Sequence, residues 1–316
     1  MILSVSRRTD IPSFYSEWFF NRIKEGYVYV INPFNRKQVS KVSLRAEDVD
    51  CIVFWTKDPK PMLNMLRELK DYKYYFQFTI TSYRKDIETN LRPKKELIKT
   101  FKDLSEAIGK EKVIWRYDPI LLNDFYTKEY HYEWFERFMQ ELSPYTERCV
   151  ISFIDFYKKT ERSIKHLNIK QFNEEDIYEM AEVLSKISRG YGITLEACSE
   201  KFDLSKVGIN PTKCIDDRLI SKIIGADINV KKDPTQREEC GCVKSVDIGQ
   251  YNTCIHGCAY CYANFDHEKA KLNYKNHNCN YPLLSGELLG DEKITVKKAE
   301  HLEKKEVEII QESFKI

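Results

Sequence analysis

The chain has 316 residues, of which 42% are hydrophobic and 32% charged, and its 51 basic and 49 acidic side chains leave a net charge of +2. A chain of this length and composition can bury a substantial core and does not belong to the disordered class. The balanced charge gives no general support for binding to nucleic acid or to a membrane surface, and no segment approaches the roughly 20 apolar residues of a membrane-spanning helix.

Short runs rich in β-branched and aromatic residues predict six strands that are covered on both faces. They are Ile2–Ser6, Cys51–Thr56, Tyr74–Thr81, Val113–Tyr117, Val150–Asp155 and Ile193–Ala197. Segments of helical periodicity lie between them, the first two over Ser13–Lys24 and Met62–Leu69, and an inserted hairpin is predicted near residues 27–43. The alternation predicts right-handed βαβ units about a parallel sheet in an α/β fold. About six such units favour a (βα) barrel or a partial, TIM-like barrel over an open sheet.

The predicted strands end in unusually polar sequences. In a parallel barrel these ends meet at one face, where active sites are built. The side chains that would converge there are Arg7, Arg8, Lys57, Arg116, Asp118, Asp155 and Glu196. The alternative, for each residue taken alone, is that it begins a solvated loop.

The placement of the cysteines divides the chain. Of the ten, only Cys51 and Cys149 lie in the first 197 residues, in apolar contexts that predict core positions, while the other eight lie between Cys198 and Cys279. We expect three parts: a barrel scaffold over residues 1–197, a cysteine-rich metal-binding segment over residues 198–290, and a charged tail over residues 291–316. The first residues lack the features of a secretory signal peptide, so we expect a cytoplasmic protein, where free thiols more often bind metals than form disulfides.

Three cysteines, Cys254, Cys258 and Cys261, stand at spacings of four and three. They can present three thiolates to three irons of one [4Fe–4S] cluster and leave the fourth iron without a protein ligand, which makes that iron a chemical site. The competing interpretation is a zinc site built on the pair Cys258 and Cys261, completed by a nearby histidine or cysteine. The additional upstream thiol, the aromatic Tyr260 and Gly257, which lets the backbone approach the inorganic core, favour the cluster.

A second set of thiols comprises Cys198, Cys214, Cys240 and Cys242. If they converge, they would form a fully ligated auxiliary cluster that relays electrons or anchors substrate. The alternatives are an all-cysteine zinc site and unrelated buried thiols.

The spacing Cys-x3-Cys-x2-Cys with an aromatic residue before the last cysteine resembles the signature of radical S-adenosylmethionine (SAM) enzymes. The resemblance implies that SAM binds the open iron through its amino and carboxylate groups and is cleaved reductively to a 5′-deoxyadenosyl radical. It also implies a place for Tyr260 near the adenine, although a core aromatic is the alternative. The loop from Cys254 to Tyr262 is similar to the cluster loop of spore photoproduct lyase, a DNA repair enzyme.

Longer motifs are similar to an uncharacterised bacterial family of unknown function with a cysteine-rich carboxyl-terminal part. They are Ser4–Pro12, Asn32–Asn35, Ile52–Lys57, Ile114–Pro119, Cys240–Cys242 and Asp247–Asn264. The similarity runs from residue 1 to about residue 290, and it implies a radical-SAM-like fold but no substrate.

The order of these parts departs from the usual radical SAM arrangement, in which the cluster loop follows the first strand. Either the fold is circularly permuted, with Ser245–Gly249 as the strand that leads into the loop, or the loop belongs to an appended segment that folds over the barrel. A Gly-Gly-Glu segment that usually contacts the SAM amino group is missing from its expected place, and Ser285-Gly286-Glu287 matches it only in part.

The sequence therefore predicts a radical SAM-type enzyme that acts on an unidentified polar or anionic substrate. The side chains expected around SAM and substrate are Tyr260, Arg7, Arg8, Lys57, Gln77, Arg116 and Asp118. The expected electron donor is a protein such as flavodoxin or ferredoxin, and neither a membrane nor nucleic acid is an expected partner. The alternatives are a two-cluster electron-transfer or sensor protein and a zinc-stabilised nucleic-acid-binding protein.

Overall fold

The computed structural model describes residues 1–156 and 164–304. Its strands are β1 (Ile2–Val5), β2 (Tyr27–Asn32), β3 (Asn35–Ser43), β4 (Cys51–Thr56), β5 (Tyr74–Thr79), β6 (Val113–Ile120), β7 (Arg148–Phe153), β8 (Thr194–Cys198), β9 (Asn210–Thr212), β10 (Ile228–Asn229), β11 (Val246–Asp247), β12 (Lys293–Val296) and β13 (Glu303–Lys304). Its α-helices are α1 (Ile11–Phe14), α2 (Ser16–Glu25), α3 (Lys94–Ile108), α4 (Lys128–Leu142), α5 (Glu174–Gly190), α6 (Asp217–Ile224) and α7 (His267–Lys275). Its 3-10 helices are Ala46–Asp48, Lys60–Leu69, Lys110–Lys112, Ser143–Tyr145, Lys165–Leu167 and Leu204–Val207. None of the helices in these two stretches is long and apolar enough to cross a membrane.

Eight strands form one parallel sheet in the order β11-β1-β4-β5-β6-β7-β8-β9. From β4 onward the strands follow each other in chain order, with helices or loops between them, as successive βαβ units require. The predicted α/β fold with a parallel sheet is confirmed. In the described part of the chain no pairing joins β9 to β11, so the sheet keeps two edges.

Both faces of this sheet are covered, which explains why its strands are almost continuously apolar. Helices α2 to α5 lie on one face, where Trp115 of β6 stacks on Phe135 of α4 with ring centroids 5.2 Å apart. The indole N–H of Trp115 donates to the carbonyl oxygen of Ile80 at 3.0 Å, so this large side chain is buried without an unsatisfied donor. On the other face, the segment after β9 packs Ile215 and its neighbours against Val53 and other inward side chains. Cys51 and Cys149, the predicted core thiols, are both fully buried.

Strand β11 brings the cysteine-rich segment to the edge of the sheet. It lies parallel to β1, with Leu3 opposite Val246 and Ser4 opposite Asp247. Its position falls within the predicted strand Ser245–Gly249, and the chain runs from it directly toward Cys254.

Two predicted helices differ from the structure. The helix expected over Ser13–Lys24 is divided at Tyr15 into α1 and α2. Helix α1 begins earlier than expected because Asp10 caps it by accepting the Ser13 N–H at 3.0 Å. The segment with apolar residues at helical spacing, Lys60–Leu69, is a 3-10 helix and still buries its apolar face.

The predicted hairpin is present as β2 and β3, which pair antiparallel. The charged tail does more than predicted: β12 adds to this hairpin parallel to β3, and β13 pairs with β10. The remaining predicted tail, residues 305–316, lies outside the described residues.

Candidate functional site

The loop that carries the three clustered cysteines, residues 252–264, is called here the three-thiol loop. It follows β11, and Asp247 at the end of that strand fixes its origin. The Asp247 carboxylate accepts hydrogen bonds from Ser4 Oγ at 2.8 Å, from Ser6 Oγ at 2.7 Å and from the Arg7 N–H at 2.8 Å. Three donors on one buried carboxylate tie the start of the loop to the carboxyl end of β1.

The three-thiol loop is docked on residues 87–90, between β5 and α3. The Asn90 N–H donates to the His256 carbonyl at 2.9 Å, and the Ala259 N–H donates to the Ile87 carbonyl at 2.9 Å. Gly257 lies at a φ of +71°, and a Cβ there would stand 3.2 Å from Asn90 Nδ2. Glycine is therefore required both by the backbone conformation and by the close approach of the two segments.

A buried hydrogen bond holds the middle of the loop from the other side. His256 Nε2 lies 2.8 Å from Asp10 Oδ2, and the same oxygen accepts the Lys57 N–H at 2.7 Å. Sequence reasoning offered His256 only as a possible zinc ligand and did not single out Asp10. The only sequence signal was the position of Asp10 at a polar strand end, which does not reveal a partner 246 residues away.

The three thiols are close enough to influence each other but are not in contact. Burial raises the pKa of Cys254, Cys258 and Cys261, and negative charge on a neighbouring thiolate raises the pKa of Cys254 and Cys258 further. Within the described residues, none of these three sulfur atoms makes a hydrogen-bonding contact with another. Lys57 has the opposite effect on Cys258, because its ammonium group favours the thiolate.

Glu88 organises the charges beside the loop, although sequence reasoning missed it. It is 1% exposed, and its Oε1 accepts from Lys57 Nζ at 2.8 Å, Tyr260 OH at 2.7 Å and Thr81 Oγ1 at 2.7 Å, while Lys94 pairs with the other oxygen. Burial alone would raise the pKa of Glu88, but the two ammonium groups outweigh it and hold that pKa well below its usual range. Lys57 is thereby held charged and oriented next to the thiols.

The second set of thiols, Cys198, Cys214, Cys240 and Cys242, is called here the four-thiol group. Cys198 Sγ lies 3.0 Å from Cys214 Sγ, and Cys240 and Cys242 are buried in the same cluster of side chains as Cys214. The Ile215 N–H donates to Cys242 Sγ at 3.4 Å. The fold thus assembles four thiols from three distant segments into one buried cluster.

Arg116 of β6 links the four-thiol group to a carboxylate. Its Nη1 lies 2.9 Å from Cys214 Sγ and 3.2 Å from Gln77 Oε1, and its Nε donates to Asp118 Oδ1 at 3.1 Å. Burial alone would lower the pKa of Arg116, but Asp118 and the thiols raise it well above its usual value. A permanently charged donor therefore points at a buried sulfur atom.

A cavity of about 310 Å³ is lined by Cys261 of the three-thiol loop and by all four thiols of the four-thiol group. The predicted site residues that line it are Arg7, Lys57, Arg116, Asp118, Tyr260, Cys261, Cys198, Cys214, Cys240 and Cys242. Asp155 is also in the lining, where it pairs with Arg237.

Five other predicted residues lie outside this lining, and two of them, Cys254 and Cys258, are thiols of the three-thiol loop. Arg8 stands over the ring of Tyr251, with its guanidinium 5.4 Å from the ring centroid. Gln77 lies behind Arg116 and donates to the Cys214 carbonyl at 3.0 Å. Glu196 is buried beside Arg148, 3.2 Å from its Nη1. Gln77 and Glu196 share their strand faces with Thr79 and Cys198, which line the cavity two residues further along, so depth along the strand separates both from the cavity.

The residues present fit an iron–sulfur cluster and a bound small molecule. Three thiols lie on one firmly docked loop, as ligands of separate irons would. Trp55, which lines the cavity, has an indole N–H without an acceptor in the described part of the chain, so a ligand there would gain a hydrogen bond. In that same part, no group of three or more His, Cys, Asp or Glu side chains has the arrangement of a metal site. Either set of thiols would therefore turn toward a common centre on binding metal.

A second cavity, of about 530 Å³, opens near the amino end of β1. Met1, Ile2, Lys244 and Leu302 are among its lining residues, and none of the predicted site residues is. Because parallel α/β folds build their sites at the carboxyl ends of strands, the smaller cavity is the candidate site.

Comparison with known proteins gives a family but no activity. No curated protein and no solved structure matches the chain. Residues 2–263 match the model of a family described as a domain of unknown function (DUF1848). This match spans β1, the polar strand ends, the four-thiol group and all three cysteines of the loop, and it confirms the resemblance to an uncharacterised family. The chain belongs to the DUF1848 family.

Proposed function

We propose that this protein is a radical SAM-type enzyme that acts on a polar or anionic substrate. The observation that supports the proposal best is the position of the three-thiol loop. It is fixed at the carboxyl ends of parallel strands, beside a cavity that offers cationic and aromatic side chains for SAM and a substrate.

The fold would be a circularly permuted, partial barrel of the radical SAM type. In the usual order, the strand that leads into the cluster loop begins the sheet. Here β11 lies at one edge, next to β1, and the loop follows it. A strand late in the sequence thus takes the place that the first strand holds in the usual order, which supports a permuted fold over a detached, appended loop.

Cys254, Cys258 and Cys261 would hold a [4Fe–4S] cluster with one open iron. When bound, the cluster would supply the electron that cleaves the sulfonium of SAM. The protein would bind and orient SAM and the substrate, and it would exclude water from the cavity. Tyr260 forms part of the cavity wall, and its hydroxyl is held by Glu88.

The cations in the cavity would bind carboxylate or phosphate groups. Arg7 presents a planar guanidinium group that matches such anions in a bidentate manner, and Arg116 and Lys57 add positive charge. Arg116 is held by Asp118, and Lys57 is held by Glu88, so both are oriented before a ligand enters. Preorganised donors lose little energy on binding, which favours a polar or anionic substrate over an apolar one.

An external protein such as flavodoxin or ferredoxin would supply the electron. The four-thiol group would be a second metal site on the opposite wall of the same cavity. An auxiliary cluster there remains the expectation from sequence, and its geometry is considered below.

Anaerobic reconstitution with iron and sulfide tests the proposal. The reduced protein should convert SAM to 5′-deoxyadenosine, and Cys258→Ala should reduce the product to background. Cys279→Ser is the matched control, because Cys279 lies outside both sets of thiols and contacts Glu17, and it should leave product formation unchanged. A fully loaded and reduced wild-type protein that yields no 5′-deoxyadenosine would refute the proposed enzyme activity.

A two-cluster electron-transfer or sensor protein is the second candidate, because Cys261 and all four thiols of the four-thiol group line one cavity. This function predicts a reversible redox couple whose EPR spectrum is unchanged by SAM. The enzyme predicts a SAM-dependent change in the spectrum of the loop cluster, and that change is lost with Cys258→Ala.

A further inference from the structure

The four-thiol group differs in spacing from a cluster site. A [4Fe–4S] cluster places each thiolate on a different iron, so the sulfur atoms are separated by the whole inorganic core. Thiolates that share one tetrahedral ion with metal–sulfur distances of about 2.3 Å stand only roughly 3.8 Å apart. The separation of 3.0 Å between Cys198 Sγ and Cys214 Sγ is shorter still than the single-ion spacing, and it leaves no room for an inorganic core between these two sulfur atoms. Cys242 Sγ accepts from the Ile215 N–H at 3.4 Å, which places it beside the residue that follows Cys214.

The surroundings of the group suit an anionic set of sulfur ligands. Four thiolates with one divalent ion leave a net charge of −2. The fully charged Arg116 donates to Cys214 Sγ at 2.9 Å, and the Ile215 N–H donates to Cys242 Sγ at 3.4 Å. Donors of this kind orient metal-bound thiolates and stabilise their charge.

We propose that Cys198, Cys214, Cys240 and Cys242 bind one tetrahedral divalent ion of the zinc type, in place of a second iron–sulfur cluster. The ion joins the end of β8 to the segment before α6 and to the loop at residues 240–242. These segments cover the inner face of the sheet and form one wall of the cavity. The site is structural, because all four positions around the ion are filled by the protein. This inference does not depend on radical SAM chemistry at the three-thiol loop.

Binding requires a small rearrangement. Cys198 and Cys214 already lie 3.0 Å apart, and the side chains of Cys240 and Cys242 must turn toward them to complete the set. Cys240 lies on a loop and Cys198 ends its strand, so neither lies in the interior of a helix or strand.

The test uses the full chain with Cys254, Cys258 and Cys261 all changed to Ala, so that bound metal reports the four-thiol group alone. Protein produced in medium containing both iron and zinc should retain about one zinc per chain and less than about one tenth of an iron. X-ray absorption should give four sulfur neighbours at about 2.3 Å. Replacement by Co²⁺ should give the intense thiolate charge-transfer bands of a tetrahedral all-sulfur site.

Two further variants separate binding from folding. Cys214→Ser should lower zinc retention at least tenfold, while Cys279→Ser should leave it unchanged. Arg116→Met removes the donor to Cys214 but no ligand, and should weaken zinc affinity about 10- to 100-fold in chelator competition, with an unchanged circular dichroism spectrum. This variant keeps the inference testable if Cys214→Ser does not fold.

The outcomes that overturn the inference are distinct. Iron and sulfide retained at about four per chain by the triple variant would show a second cluster. Protein without any bound metal, or with a Cys198–Cys214 disulfide, would show that the group is not a zinc site. Neither result bears on 5′-deoxyadenosine formation by the wild-type protein, so failure here is distinguishable from failure of the proposed enzyme.

Discussion

The two sets of thiols lie beside one cavity but are built in opposite ways. The three-thiol loop is contiguous in sequence, and its thiols influence one another through their charges. The four-thiol group is gathered from three segments, and two of its sulfur atoms, those of Cys198 and Cys214, lie 3.0 Å apart. The contrast teaches that the spacing of ligands in the sequence and their spacing in the folded chain are separate pieces of information. The arrangement of the three-thiol loop is typical of a cluster with separate irons, and that of the four-thiol group is typical of a shared ion.

Each set also has its own buried cation. Lys57 lies next to Cys258 and is neutralised by Glu88, whereas Arg116 lies next to Cys214 and is neutralised by Asp118. The two ion pairs are formed by different side chains, although Asp118 also raises the pKa of Lys57, so each pair can be changed by its own mutation.

The largest expected effect comes from Glu88→Gln. This change leaves the Lys57 and Lys94 ammonium groups without their buried counter-ion, and breaking such a pair costs about 3 to 5 kcal/mol. Urea unfolding should show this loss. Zinc in the four-thiol group should be unaffected, because Arg116 and Asp118 are unchanged.

Glu96→Gln is the matched control for that variant. Glu96 pairs with Arg92 on α3, but its side chain is 53% exposed, so the change should cost less than about 1 kcal/mol. Equal losses in the two variants would contradict the role given to Glu88 in docking the loop.

A pH effect of the scaffold must be separated from any effect of the thiols. Burial lowers the pKa of His131 to about 4, and the neutral ring donates from Nε2 to the Leu121 carbonyl and accepts at Nδ1 from Tyr117 OH. The unfolded chain binds this proton near pH 6.5 and the folded chain only near pH 4. Folding stability therefore falls as the pH drops through that window, by about 3 kcal/mol in all.

His131→Gln checks this assignment, because it removes the titrating group. Urea unfolding at pH 7 and at pH 4.5 should give a smaller difference in stability for the variant than for the wild type. The same difference in both proteins would place the acid sensitivity elsewhere, including in the thiol sets.

The smallest expected effect sharpens the comparison at the level of the backbone. Gly257 in the three-thiol loop and Gly225 at the end of α6, the helix that follows Cys214, both lie at a φ of +71°. Alanine at Gly225 meets open space and should cost about 1 kcal/mol from the left-handed conformation alone. Alanine at Gly257 also crowds Asn90 and should cost about 2 kcal/mol. Equal costs in thermal or urea unfolding would mean that the loop is not tightly docked.

The sequence was most informative where chemistry and periodicity are local. The apolar runs predicted six strands of the sheet, β1, β4, β5, β6, β7 and β8, and the pattern of residues 27–43 predicted the hairpin. A buried parallel strand and a hairpin each leave a signature within a few residues. The loop thiols were also visible, because their spacing alone defines them. Ser245–Gly249 was identified as the strand leading into the loop only through the resemblance to a family with a different order.

The residues that position the site were harder to predict, because their partners are distant in sequence. Glu88 is one acidic residue among many in a polar loop, and only the fold shows that it receives two ammonium groups and two hydroxyls. Asp10 and His256 meet across 246 residues. Lys293–Val296 has the composition of a solvated tail, and it becomes a strand only because the open edge of β3 lies beside it.

The three hydrogen bonds that Asp247 accepts from the end of β1 have a practical consequence for protein engineering. The loop cannot be transplanted as an independent cassette. A chimera that receives residues 252–264 without β11, or β11 without Ser4 and Ser6 opposite it, would inherit the ligands but lose their anchor. Any graft that is meant to keep the ligands in place must include both β11 and the residues from Ser4 to Arg7 that donate to Asp247.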